Sequence, residues 1–410
     1  MLNHLQGQDL QFVKSTVNVL CSDSLHGRGY VNNGGLKAAQ FIANKFKEFG
    51  LKPLPAENSY FQKFEHTVNT FPGKMLLAVD GKTLIPGVDY HITPASAAMA
   101  NSQLPIVWLK TNNAKNLRSL NKWIKKYKPA NKCVVIEQAV FLQISDNVIG
   151  QAISVNAFKA ACILFETNKK LTWSVANKAH NYCSFEVKAG SISKESKLLL
   201  VEVDQKLVEY SNQNVVGIIE GHNNDSQVYL TAHYDHLGRM GSEACFYGAN
   251  DNASGTAMLL DLARYYSQNK PKHSIVFIAF AGEEAGLVGS KHYVENPLMP
   301  LNKIKLLVNL DLTSTGQDGI MVVNGLVFKG LAKHLVLLNE KQNFVNTIKR
   351  RGKAANSDHY WFSEKGVKSI FIYLLGDYPH YHDIYDTPDK PNWLGYNGTF
   401  KLIIELIETY

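Results

Sequence analysis

Acids and histidines recur through the second half of the chain wherever an apolar run stops. His233 and Asp235 follow the run 228–232, and Asp251 sits in the turn Gly248-Ala-Asn-Asp-Asn-Ala-Ser-Gly255. Glu283 and Glu284 follow the run 275–280, Asp311 follows 305–310, and His382 lies in Tyr378-Pro-His-Tyr-His-Asp383. Carboxylate oxygens and imidazole nitrogens are zinc donors, and several of them delivered together by buried strands suit a two-zinc hydrolytic centre.

Each short motif carries its own reading. Residues i and i+2 of an extended strand share a face, so Asp235 is expected to accept a hydrogen bond from the His233 ring and His236 to point elsewhere. Asp251 fits either a helix cap before Thr256 or a carboxylate whose two oxygens bridge two cations. Glu283 and Glu284 either open the following helix, where acids suit its dipole, or diverge so that one binds metal and the other faces a water to be activated. His380 and His382 are both eligible as the late imidazole, with Asp386 to orient whichever one binds.

These donors need a rigid sheet behind them. Residues 215–219, 228–232, 275–280 and 304–310 read as strands, with helical pattern over 255–268 and 287–295. Runs this continuously apolar belong to central strands buried on both faces, hence a mixed, mainly parallel α/β sheet flanked by helices, whose ligands collect at the carboxyl ends of the strands. Residues 36–49 form an expected amphipathic helix through Ala39, Ile42, Phe46 and Phe49, stopped by Gly50 and Pro53. Between about 59 and 220 the texture changes to short β-rich runs such as 105–109, 133–136 and 198–203. The expected division is 1–75 and 205–410 for the catalytic α/β domain and 76–204 for a β-rich insert.

With 410 residues, 45% of them hydrophobic and 19% charged, the chain has enough apolar material for a large core and too little charge for extended disorder. The net charge of +8 includes two basic clusters, Lys122 to Lys132 and Lys349 to Lys353, but neither carries the aromatic interleaving of a nucleic-acid module, so solvated surface is the expectation. Five cysteines are scattered without a C-x-x-C pair, and no apolar run is long enough to span a bilayer. Residues 1–9 lack the basic and apolar regions of a leader, which fits either a cytoplasmic protein or an exported one whose leader is not part of this sequence.

Together, His233-x-Asp235, Gly248-Ala-x-Asp251-x-x-Ser254-Gly255, Glu283-Glu284-x-Gly286-Leu-x-Gly289-Ser290, Asn309-Leu-Asp311 and Tyr381-His382 resemble the co-catalytic dizinc aminopeptidases, in the clan of glutamate carboxypeptidases and glutaminyl cyclases. The resemblance covers 213–390 and extends loosely to Leu25-His-Gly-Arg28. It implies two zinc ions, one held by His233 and Asp311, the other by Glu284 and His382, with Asp251 bridging. It also implies Glu283 as general base toward a metal-bridging water, Asp235 as the histidine's partner and Tyr381 as an aid to the oxyanion, with peptides as substrates. The insert is similar to a protease-associated module, whose bearers are commonly secreted or periplasmic. Ser357-Asp358-His359-Tyr-Trp361-Phe362 looks like the segment lining the substrate side, with Lys349 to Lys353 just before it. Asp311 is followed by Leu312 and Ser314, where relatives often have Met and a glycine three residues later, so the loop after this ligand departs from the pattern. Two other readings share the fold: a single-zinc glutaminyl cyclase using Asp251, Glu284 and His382, and a non-catalytic receptor or binding module.

Overall fold

The computed structural model describes residues 9–54, 58–141 and 148–410. The chain divides into two compact units, one of residues 1–66, 210–238 and 246–410, the other of residues 67–209 and 239–245.

The first unit is built on an eight-stranded sheet. In chain order its elements are α1 (Leu10–Leu20), α2 (Gly34–Glu48), β1 (Phe61–Thr70), β2 (Lys206–Ile219), β3 (Asn223–His233), α3 (Gly255–Gln268), β4 (His273–Phe280), α4 (Val288–Glu295), β5 (Ile304–Leu310), β6 (Gly319–Val323), α5 (Lys329–Gln342), β7 (Ile348–Arg350), α6 (His359–Glu364), β8 (Ser369–Leu375) and α7 (Tyr396–Thr409). The strand order is β1-β2-β4-β3-β5-β8-β6-β7. The four central strands β4, β3, β5 and β8 are mutually parallel, and β2 and β6 run antiparallel to their inner neighbours.

The period-2 alternation of strand side chains divides the core into two layers. Ile275, Phe277 and Ala279 of β4, Val228, Leu230 and Ala232 of β3, and Leu306, Val308 and Leu310 of β5 pack with α1, α2, α3 and α7 on one face. Val276, Ile278 and Phe280 pack with Tyr229, Leu307, Tyr293 of α4 and Phe362 of α6 on the other. Helix α1 begins where the Asp9 carboxylate accepts the Phe12 amide at 3.0 Å, and buries Val13, Val17 and Leu20 along one stripe. Helix α2 buries Ala39, Ile42 and Phe46, the last edge-on to Phe277 at 6.3 Å, and stops at Gly50 in the left-handed conformation. With both faces covered, the carboxyl ends of the four parallel strands are left to carry the chemistry.

The second unit has its own eight-stranded sheet, ordered Lys82–Thr83, Met75–Val79, Leu198–Val203, Met99–Leu109, Cys133–Ile136, Cys162–Thr167, Cys183–Lys188 and Tyr90–Ile92. Besides its strands it holds a helix not anticipated from the sequence, Leu117–Tyr127, capped by Asn116 and burying Leu120 and Trp123. Lys122, Lys125, Lys126 and Lys128 face solvent, which accounts for the first basic cluster. All five cysteines are buried, and Cys133, Cys162 and Cys183 are register neighbours on three adjacent strands.

Candidate metal centre

Each central parallel strand delivers part of one buried cluster. His233 is the last residue of β3, Asp311 follows β5 directly, Glu283 and Glu284 lie in the turn after β4, and His382 follows β8. Asp251 stands in the loop before α3, and its peptide bond to Asn252 is cis. That loop needs Gly248 in the left-handed conformation, because a Cβ there would run into the Asp251 carbonyl and the His236 ring. Asp251 does not cap the helix: Asn252 Oδ1 accepts the Gly255 amide at 2.9 Å and the Leu312 amide at 3.2 Å, tying two loops of the cluster together.

The Asp251 carboxylate faces both histidines. His233 Nε2 is 3.5 Å from Asp251 Oδ1 and 3.4 Å from Asp311 Oδ1, while His382 Nε2 is 3.1 Å from Asp251 Oδ2 and 3.3 Å from Glu284 Oε2. Four donors at zinc-like bond lengths of about 2.0 Å lie about 3.3 Å apart along the edges of a tetrahedron, so these separations fit two cation sites sharing Asp251. The Oδ1 atom of Asp311 is buried with no hydrogen-bond partner, as a coordinating oxygen would be.

The oxygens and nitrogens that face away from the cluster are committed elsewhere. Ser357 Oγ donates to Asp311 Oδ2 at 3.0 Å and accepts from Asn309 Nδ2 at 2.8 Å, and Thr231 Oγ1 donates to Asn309 Oδ1 at 2.7 Å. His233 Nδ1 lies 3.2 Å from the Asp235 carbonyl, an acceptor that fixes the proton there and leaves Nε2 free to ligate.

Three expectations require correction. The Asp235 carboxylate is 3.8 Å from His233 Nδ1; it instead accepts the Glu283 amide at 3.2 Å, the Glu284 amide at 3.3 Å and the Tyr30 hydroxyl at 3.1 Å. The strand ends at His233, so the alternation that would place residues 233 and 235 on one face ends with it. His236 turns into the cluster, with Nδ1 at 2.7 Å from Glu284 Oε1, a hydrogen-bond length shorter than a ligand edge; it occupies that oxygen and leaves Oε2 facing His382. Asp386, expected to orient a late histidine, instead holds the Asp251 loop: it accepts the amides of Asn250 at 2.8 Å and Asp251 at 3.0 Å and the Tyr378 hydroxyl at 2.5 Å. His380 faces Asp383 at 3.6 Å, so of the two late histidines His382 is the one beside Asp251.

Electrostatics follow from crowding acids in a buried site. Burial disfavours charge on His382, but Glu284 and Asp251 outweigh it and push the imidazole up to about 11. A divalent cation would supply the same positive charge and displace that proton. Burial, together with Glu284, Asp358 and Asp311, holds the Glu283 carboxyl well above the usual range against the pull of His233. Burial likewise raises Asp358 to about 7.

A cavity of about 280 Å³ opens on this cluster, lined on the chemical side by His233, Asp251, Glu283, Asp311, Tyr381 and His382. Tyr381 is half-exposed and stacks on His382 with ring centroids 3.9 Å apart. Leu312, Arg351, Asn356, Phe371 and Tyr373 complete the walls. Ser357, Asp358 and His359 are fully buried behind them, which corrects the expectation that this segment lines the substrate side. Leu312, at φ 53°, gives the departing loop after Asp311 its turn.

The other residue the sequence left without a role is Arg28. Wholly buried, it donates from Nε to Tyr234 O at 2.7 Å, from Nη1 to Leu20 O at 2.9 Å and Tyr247 O at 2.6 Å, and from Nη2 to Gly248 O at 2.8 Å. It thereby joins the end of α1 to the two loops carrying His233 and Asp251.

Residues 214–407 match peptidase family M28. The aminopeptidase YwaD of Bacillus subtilis strain 168 is 31% identical over 245 residues, 56% of this chain and 51% of that protein. A probable zinc metalloprotease of Pyrenophora tritici-repentis is 36% identical over 110 residues, 26% of this chain and 25% of that protein. The chain thus spans about half the length of one relative and a quarter of the other. The fold is that of a zinc aminopeptidase from Bacillus subtilis, with a TM-score of 0.70, 20% identity, and coverage of 97% of this chain and 94% of that one. Residues 214–407, just under half of the chain, thus carry a likeness to peptidase family M28.

Proposed function

We propose that this chain is a zinc-dependent aminopeptidase that hydrolyses the N-terminal residue from peptides, with two zinc ions held by His233, Asp311, Glu284 and His382 and bridged by Asp251. The observation that carries the reading is the Asp251 carboxylate, whose two oxygens face His233 at 3.5 Å and His382 at 3.1 Å. The aminopeptidase assignment leans on the likeness to YwaD and to the Bacillus fold relative. Bound zinc supplies Lewis acidity, lowering the pKa of water and polarising the scissile carbonyl.

Glu283 is the general base. It lines the cavity, and its raised proton affinity, drawn down by the cations' positive charge, suits it to take a proton from the attacking water and pass it to the departing amine. Asp235 positions it, since that carboxylate accepts the backbone amides of both glutamates. Tyr381 keeps its proton, because burial and then Asp251 and Glu284 raise its pKa, so it can donate to the oxyanion that develops on the substrate. The second unit as a protease-associated module and a secreted or periplasmic location are proposed on the family resemblance. No helix among the described residues is long and apolar enough to cross a membrane.

The test is amine release from aminoacyl p-nitroanilides, dipeptides and N-acetylated dipeptides by zinc-loaded protein, with a chelator control and an N-terminal glutaminyl peptide followed for ammonia. Chelator-sensitive cleavage of free-amine substrates alone is the expected result. Ammonia release without cleavage would make the protein a cyclase, and silence in every assay would leave a binding module.

A further inference from the structure

The cavity is lined by groups of different chemical character. Part of its lining is the acids and histidines just described; the rest includes a cation and an amide, Arg351 and Asn356, with Leu312, Phe371 and Tyr373. Arg351 follows β7 directly, and its backbone is fixed by an amide donated to Val322 O at 3.0 Å and a carbonyl that accepts the Leu326 amide at 3.2 Å. Its side chain is exposed at the cavity and forms no ion pair among the described residues. Its neighbour Lys353 differs in this respect, being paired with Glu364. An anchored backbone carrying an uncommitted guanidinium in a reaction cleft is a recognition element. Its planar fork matches a carboxylate with two parallel hydrogen bonds, which a lysine's point charge does not reproduce. The cavity volume, about 280 Å³, lies at the low end for ligand sites, so the group that reaches Arg351 must belong to the residue at the reacting carbonyl or to one close beside it.

We propose that Arg351 is the specificity determinant of this site and selects substrates carrying a carboxylate near the scissile bond. The carboxylate is either the acidic side chain of the residue being removed or the free C-terminus of a very short peptide. The proposal rests on the aminopeptidase reading and deepens it. Asn356 lines the same cavity and offers an amide donor for the same group or for the adjacent peptide carbonyl.

The experiment compares matched substrates on the zinc-loaded full chain: glutamyl against glutaminyl p-nitroanilide for the side-chain source, and a tripeptide against its C-terminal amide for the terminus. In one of these pairs the carboxylate member is expected to have a KM about tenfold lower at similar kcat, the modest value for a charge-assisted pair partly open to water. Reading the ratio within each pair cancels any general loss of activity in a variant. In Arg351→Ala that ratio should fall to about one, and in Arg351→Lys it should lie between. The preference should also shrink as salt is raised, since the pair is exposed. Absence of preference in both pairs, or a preference that Arg351→Ala retains, would overturn the proposal while hydrolysis of the neutral members kept the aminopeptidase reading intact. Hydrolysis of no member of either pair would overturn both.

Discussion

Replacing Arg28 by methionine removes the charge, its four hydrogen bonds to carbonyls and a fifth to the Cys21 sulfur, while keeping an unbranched stem of similar length. Two of its acceptors have other donors, since Tyr247 O also takes the Cys21 thiol at 3.3 Å and Gly248 O the Ala253 amide at 3.1 Å. Leu20 O and Tyr234 O lose theirs, and each buried carbonyl left without a donor costs about 1–3 kcal/mol. The substitution regains the desolvation penalty of a buried cation, which offsets part of that and of the four lost charge-assisted bonds. The expected net loss is about 3 kcal/mol, or roughly 6–12 °C in Tm for a unit of this size. Arg28→Lys keeps the charge and at most three donors, and should lose less. The assay is urea and thermal unfolding of chelator-treated protein, paired with zinc titration by calorimetry. Because Arg28 holds the residue after His233 and the loop before Asp251, zinc affinity should also fall, by about 10- to 100-fold. A methionine variant as stable as wild type would refute the energetic argument; one that is destabilised yet binds zinc normally would separate the clamp from the site.

Glu283→Gln should keep its zinc, measured by atomic absorption, while turnover falls by about 10²- to 10⁴-fold; normal turnover removes Glu283 from the mechanism. Asp251→Ala should release metal from both positions, and retention of two zinc ions would refute the shared ligand. His359 is wholly buried against Phe371, ring centroids 5.4 Å apart, and burial lowers its pKa to about 4. The folded state therefore keeps it neutral while the unfolded chain takes up the proton below about pH 6.5, so its contribution is present above that pH and is lost as pH falls toward 4. That loss is about 3 kcal/mol, and His359→Phe should flatten this part of the stability profile of metal-free protein measured by urea unfolding; an unchanged profile would place the acid sensitivity elsewhere.

The apolar runs made the central sheet legible because they are buried on both faces, and the residue ending each run marked the edge where the donors gather. What happens one or two residues beyond a strand was not legible. Asp235 and His236 were assigned by strand alternation, yet the chain turns after His233 and the two exchange their expected directions. The polar chain of Thr231, Asn309 and Ser357 left a usable signal, two polar residues interrupting otherwise apolar buried strands. Arg28 was legible only as part of the Leu25 to Arg28 segment, and Arg351 only as one of the basic residues 349–353, which could border the cleft but read more readily as a solvated loop; their surroundings come from segments distant in sequence. The helix Leu117–Tyr127 was hidden by its lysines, which dominate the composition and obscure the spacing of Leu120 and Trp123.

The donors facing the two proposed cation positions come from the loop before α3, which carries Asp251, and from the ends of four strands that are neighbours in space but not in sequence, beginning at His233 and ending at His382. No short stretch of this chain holds enough of them to capture a metal tetrahedrally, in contrast to a zinc finger, whose ligands lie close together and whose fold waits for the ion. Here the entropy of gathering the ligands is met by non-local strand pairing, which is slow to form but draws its stability from the apolar layers rather than from the metal. On the two-zinc reading, loading is thus expected to follow folding rather than to drive it. Chelator-treated protein would then keep its folded baseline and gain activity when zinc is supplied.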